Sequence, residues 1–105
     1  MREVDLATFA AAHRDGAVVI DVREPLEYVA GHVPGVALIP MGHLASRTAE
    51  LPRTAPVYVI CASGNRSLAA ARFLASAGID AWSVGGGTGA WARAGHPTVR
   101  GAPAA

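Results

Sequence analysis

Lysine is missing altogether from this 105-residue chain, so its positive charge rests on nine arginines set against eight acids, for a formal net charge of +1. The arginines are scattered. Without a basic run to track a phosphate backbone, nucleic-acid binding is a poor reading. Cysteine is almost missing too: Cys61 is the only one, and it cannot form an internal disulfide. A free thiol suits a reducing compartment, so a cytoplasmic location is expected. No apolar run approaches ~18 residues, and the N-terminal stretch lacks a long apolar core before a small-residue cleavage site. A soluble, untargeted protein with no membrane contact is expected. His13, His43 and His96 do not combine with the lone thiol into a zinc spacing. Gly85-Gly86-Gly87 lacks the lysine and spacing of a nucleotide loop, and close packing near Trp91 explains it better. Neither a metal nor a cofactor is expected.

What is present is apolar: 51% of the residues are hydrophobic, enough at this length for one core and one domain over residues 1–105. The Pro-, Gly- and Ala-rich stretch from about 96 to 105 reads as a loose C-terminal tail. Asp5 is a candidate N-cap for a helix over Leu6 to Arg14, with Leu6, Phe9, Ala10 and His13 on one face and Gly16 after its end. Ala17 to Val22 reads as a buried parallel strand interrupted by Asp21. Glu24-Pro25-Leu26 looks like a first helical turn. Gly31 to Gly35 reads as a turn, and Val36 to Ile39 as a short strand. Met41 to Leu51 holds either a helix or irregular turns. Pro56 to Ile60 is β-branched and aromatic, hence a central strand leading directly into Cys61.

Helix formers dominate from Arg66 to Ala77, with Ala69, Phe73 and Ala77 in one row, Ala70 and Leu74 in the next, and Gly78 after them. Small residues there let the helix lie close to a sheet. Ile79 to Val84 reads as a further strand, followed by a last helix around Gly89 to Ala94. Strands alternating with helices imply an α/β layer sandwich with a mainly parallel central sheet flanked by helices. Ligands of such sheets sit beyond the carboxyl ends of the strands, which is where Cys61 falls.

The segment Cys61-Ala62-Ser63-Gly64-Asn65-Arg66-Ser67 therefore joins a buried strand to a helix, so its amides can converge on the cysteine sulfur as a cradle for negative charge. Gly64 tolerates the positive φ that such a ring needs, and Asn65 is the next most tolerant type. The helix N-terminus and Arg66 should favour the thiolate, the form that acts as a nucleophile. Ser67 either caps the helix or donates into the cradle. Arg66 either pairs with a carboxylate such as Asp21, bracing the loop, or contacts a substrate. Asp21, a charge in an apolar strand, reads as a hydrogen-bonded structural residue with Arg23 as its neighbour. His32 reads as a structural hydrogen-bonding residue in its turn.

CASGNRS resembles the Cys-x-x-Gly-x-Arg-Ser active-site loop of the rhodanese family. Asp21-Val22-Arg23-Glu24 is similar to that family's Asp-Val-Arg segment, and Gly31 to Val36 to its Gly-His-Ile-Pro-Gly-Ala segment. Gly85-Gly86 with Trp91 matches its late Gly-Gly and Trp. Together these motifs span nearly the whole chain. The resemblance implies a rhodanese-like three-layer sandwich and a sulfurtransferase in which Cys61 carries a sulfane sulfur as a persulfide. The donor would be thiosulfate or a persulfide or polysulfide, and the acceptor a thiol, cyanide or a protein sulfur carrier. With no second cysteine, the acceptor must be external.

Two rivals differ in kind. Phosphatases and arsenate reductases whose loops resemble Cys-x5-Arg also wrap an anion, but four residues separate Cys61 from Arg66 here, which makes a smaller ring better matched to one sulfur. A non-catalytic rhodanese-like binding module would have to be closed to donors despite its complete loop. Two-domain thiosulfate sulfurtransferases place an arginine before the aromatic that follows Asp-Val-Arg, where this chain has Glu27 before Tyr28. That departure predicts a modest response to thiosulfate.

Overall fold

The computed structural model describes residues 2–103. Five short strands build its centre: β1 (Arg2–Val4), β2 (Val18–Asp21), β3 (Ala37–Leu38), β4 (Val57–Ile60) and β5 (Ala81–Val84). Their order across the sheet is β1-β5-β4-β2-β3, and every neighbouring pair is parallel. Parallel neighbours need crossovers, and these are supplied by α1 (Leu6–Arg14), α2 (Pro25–Ala30), the 3-10 segment between β3 and β4, and α3 (Asn65–Ser76), while α4 (Gly87–Arg93) follows the last strand. Asp5 caps α1 as its side chain implies, its Oδ1 accepting from the Thr8 N–H at 2.8 Å. Pro25 opens α2, where a missing N–H costs nothing.

Alternation along each strand divides the core into two apolar layers, one on each face of the sheet. Ile20, Val57, Val59 and Ala81 face Ala70, Ala71 and Leu74 of α3, with Leu44 and Leu51 completing that layer. Val19, Ile60 and Val84 face the other way, onto Phe9 and Ala10 of α1, Tyr28 of α2 and Trp91 of α4. Three layers result, as expected. Phe9 and Trp91 meet edge-on, with ring centroids 5.5 Å apart.

Several boundaries differ from the sequence reading. β1 was not anticipated, because three residues give no usable periodicity. It holds its place by pairing with β5 at the sheet edge. The apolar face of α3 is built on Ser67, Ala70, Ala71 and Leu74, whereas Ala69 and Phe73 point outward. Both rows look apolar, and only the angle at which α3 leaves the loop selects between them. The stretch left open between Met41 and Leu51 forms two 3-10 turns, Met41–His43 and Ala45–Glu50. From His96 on, where a loose tail was expected, the chain is tied down through Gly101. Trp91 Nε1–H donates to the Pro97 carbonyl at 2.7 Å, His32 and Val99 exchange backbone bonds at 2.9 Å, and the Gly101 N–H reaches the Val29 carbonyl at 3.0 Å. Ala104 and Ala105 lie outside the described residues.

Candidate active site

In a parallel sheet all carboxyl ends share one edge, so the ends of β2, β4 and β5 bring Asp21, Cys61 and Gly85 to the same rim. β4, the central strand of the five, ends at Ile60, and the chain then turns through Cys61-Ala62-Ser63 into α3. Gly64 makes the turn at φ +104°, in the left-handed region. A side chain on Gly64 would also press on the Gly86 nitrogen, at 3.2 Å from its Cβ.

Cys61 is buried, with 1% of its surface exposed. Its Sγ accepts from the Gly64 N–H at 3.1 Å and lies 3.5 Å from the Ser67 hydroxyl. Burial pushes the Cys61 thiol pKa up. The Ser67 hydroxyl and the backbone N–H groups of Ser67, Gly64 and Ser63 outweigh it, so the net shift is downward. The cradle inferred from the sequence is therefore present; the groups that stabilise the thiolate are chiefly neutral dipoles, and the Arg66 guanidinium is coupled to Cys61 by charge as well.

The carbonyls of Cys61 and Ala62 are taken up by the first turn of α4. The Thr88 N–H donates to the Cys61 carbonyl at 2.8 Å and the Gly89 N–H to the Ala62 carbonyl at 3.0 Å. Gly87, at φ +59°, lets α4 approach this closely: a Cβ there would collide with the Cys61 carbonyl oxygen. Sequence reading took the late glycines as packing elements; they also orient the loop.

Ser67, left by the sequence between capping the helix and donating into the cradle, is not the N-cap, which is Gly64. It is fully buried at the third residue of α3, 3.1 Å from the Gly64 carbonyl, to which it donates, and 2.8 Å from the Ser83 hydroxyl. Ser83, on β5, is equally buried and escaped the sequence reading. As the polar residue of Ala81-Trp82-Ser83-Val84, it was a signal that some buried group needed a hydroxyl. The two hydroxyls can turn to serve either a thiol or a thiolate.

The charged residues sort into two pairs. Asp21, fully buried, accepts from Arg23 Nε at 3.0 and 3.1 Å, from Arg23 Nη2 at 2.9 Å and from the Arg23 backbone N–H at 3.1 Å. Arg23 Nη2 also donates to the Gly31 carbonyl at 2.8 Å, tying β2 to the end of α2. Arg66 does not reach for Asp21. Its Nη1 and Nη2 donate to Glu27 Oε1 and Oε2 at 2.6 and 2.8 Å, across 39 residues of sequence. Arg66 holds the Glu27 carboxyl down at about 2, against the pull of partial burial. Ala62 is half-buried beside the sulfur, while Ser63 and Asn65 are exposed. His32 is stacked on Tyr28 at 3.6 Å and its Nδ1–H donates to the Tyr28 carbonyl at 2.7 Å, the structural role expected of it.

A groove of about 540 Å³ runs elsewhere, between Tyr28, His32, β3 and residues 99–103, and includes none of the loop. It holds no nucleophile. Among the described residues no cluster of potential metal ligands occurs, and no helix is long and apolar enough to cross a membrane.

The family model for the rhodanese-like domain matches residues 5–94. Thiosulfate sulfurtransferase GlpE of Pseudomonas putida is 38% identical over 85 residues, covering 80% of this chain and 76% of that protein. Among solved structures, a rhodanese-related protein from Thermoplasma volcanium superposes with a TM-score of 0.88 at 35% identity, covering 94% of this chain and 98% of the other. A rhodanese-like domain protein from Staphylococcus aureus gives 0.81 at 29% identity, over 87% and 91% of the two chains.

Proposed function

The chain belongs to the rhodanese-like family, and from that premise we propose that it is a sulfurtransferase working through a persulfide on Cys61. The observation that carries this reading is the sulfur itself, at the end of the central strand with the Gly64 N–H at 3.1 Å and a thiol pKa moved down despite burial. A thiolate so held attacks the outer sulfur of a donor. With thiosulfate, a bond forms between Cys61 Sγ and the sulfane sulfur. The sulfur–sulfur bond of the donor breaks, and sulfite leaves with the electron pair. Charge is conserved, and the terminal sulfur of the new persulfide is anionic. The amides that stabilised the thiolate are placed to stabilise it as well. An external thiolate or cyanide then takes that sulfur and restores the Cys61 thiolate, giving ping-pong kinetics. Candidate acceptors are small thiols, cyanide or a protein sulfur carrier, and a thiol that must stay reduced suits the cytoplasm.

The 1% exposure of Cys61 favours one competing reading, a binding module whose thiol is closed off. Intact-mass measurement separates the two. Wild-type protein incubated with thiosulfate or polysulfide, freed of small molecules and weighed, should gain one sulfur that dithiothreitol removes, and Cys61→Ser should gain none. No gain in wild type from either donor would leave the binding module.

A further inference from the structure

The chemistry above makes no use of the two-point ion pair between Glu27 and Arg66. We infer that Glu27 is a specificity residue that selects the donor by charge, turning the Cys61 site away from doubly charged thiosulfate and toward singly charged organic persulfides. The inference rests on the sulfurtransferase reading and adds the donor class to it.

Arg66 immediately precedes Ser67, whose hydroxyl lies 3.5 Å from Cys61 Sγ, so a free guanidinium there would be the natural partner for an anionic donor. It is not free. Both of its terminal nitrogens are committed to Glu27, at 2.6 and 2.8 Å. The second cation of this rim, Arg23, is committed in the same way to Asp21. Within these two pairs the charges cancel, so neither guanidinium is left free to offset the Cys61 thiolate. The amide dipoles of the loop are short-range and aimed at the sulfur, so they do little for a sulfonate held a bond further out. Thiosulfate would bring two more negative charges to this rim and release a dianion from it. An organic persulfide brings one: Cys61 thiolate and R–S–S⁻ give the Cys61 persulfide anion and the thiolate R–S⁻, a transfer balanced in charge and sulfur. The Glu27–Arg66 pair is also partly exposed, each side chain at 36–40%, so the charge it cancels lies where a donor arrives.

Glu27→Gln is the informative substitution, because a Gln oxygen can still accept from the Glu24 N–H, as Glu27 Oε1 does at 3.1 Å, and keep the start of α2. Sulfite release from thiosulfate and sulfur loading from cysteine persulfide, whose carboxylate and ammonium cancel and leave one net negative charge, are measured for wild type, Glu27→Gln and the double variant Glu27→Gln/Arg66→Gln, at low and physiological salt. The ratio of kcat/KM for thiosulfate to that for the persulfide should rise about tenfold in Glu27→Gln. The double variant should lose that gain. Wild-type kcat/KM for thiosulfate should increase with salt as repulsion is screened, and more steeply than for the persulfide. The salt series needs no variant, so it stands even if Glu27→Gln folds poorly. An unchanged donor ratio, or a wild-type thiosulfate rate that falls with salt, would overturn the inference while leaving the sulfurtransferase intact. Failure of wild type to load from any donor would overturn both.

Discussion

The Thr88 backbone N–H meets the Cys61 carbonyl at 2.8 Å, so the residue carrying the reactive sulfur is oriented from a helix 27 positions away in sequence. With its carbonyl turned into α4, the peptide units that follow Cys61 turn their N–H groups toward the sulfur. Gly87 is the residue that permits this approach. Gly87→Ala would place a methyl group against the Cys61 carbonyl and 2.8 Å from the Ala62 carbonyl carbon, at a φ of +59° that alanine resists. A loss of roughly 1–3 kcal/mol is expected, read as a lower thermal midpoint. Sulfur loading of Cys61 should fall at temperatures where the variant remains folded. Retained loading would show that the loop holds its shape without α4.

The downward shift at Cys61 makes a second prediction about pH. Iodoacetamide should alkylate Cys61 with an inflection below that of an unperturbed thiol. Ser67→Ala removes the hydroxyl that does most to counter burial, so its inflection should move up. Stability follows the same linkage. The folded thiol has the lower pKa, so between the folded and unfolded values the unfolded chain binds more protons and stability rises with pH. That contribution is complete above the unfolded value and is lost as pH falls through the folded one. Urea midpoints for wild type and Ser67→Ala across this window would show it. Ser67→Ala should also cost about 1–2 kcal/mol at all pH values, since Ser83 loses its buried partner at 2.8 Å.

The order of strands and helices was legible because each buried strand is a short apolar run punctuated by glycine or proline, and because Cys61 directly follows one of them, rich in β-branched residues. The parallel sheet and the site edge followed from that order. What the sequence could not supply was pairing over distance. Asp21 was expected to be braced by Arg23, and it is, since two residues along a strand end place them side by side. Arg66 had carboxylates to choose from, and its choice of Glu27 over Asp21 depends on where α2 crosses the sheet. Ser83 and the amides of Thr88 and Gly89 were equally hidden: a strand serine and two backbone groups acquire a role only once β5 and α4 lie beside the loop.

Acid should find the Glu27–Arg66 pair. Glu27 is held at about 2 in the folded protein against an ordinary 4.5, so between those values the unfolded chain takes up the extra proton. The stability supplied by this pair is therefore complete above 4.5 and is lost as pH falls through 2. Asp5 and Glu50 are also lowered, by the Thr8 hydrogen bonds and by Arg47, so the test is a difference. Glu27→Gln should lose stability with acid less steeply than wild type, as measured by urea midpoints from pH 6 down to 3. Parallel curves would mean that solvent already screens the pair.

The Asp21–Arg23 pair should behave differently, because there is no solvent to take over from a lost partner. Asp21 is 0% and Arg23 6% exposed. Deleting either side leaves a buried charge with only hydrogen bonds to answer it, at a cost of about 3–5 kcal/mol. Asp21→Asn should be severe even though it keeps the shape, since it strands the guanidinium beside the Gly31 carbonyl. Arg23→Met should be as severe, since it strands the carboxylate. The double variant should be less damaging than the sum of the two, because much of each single loss is the penalty of an unpaired charge, which the double does not incur. Thermal midpoints of the four proteins complete the cycle. Additive losses would mean that the arginine serves chiefly through its bond to Gly31, and that the carboxylate is satisfied by the backbone N–H of residue 23.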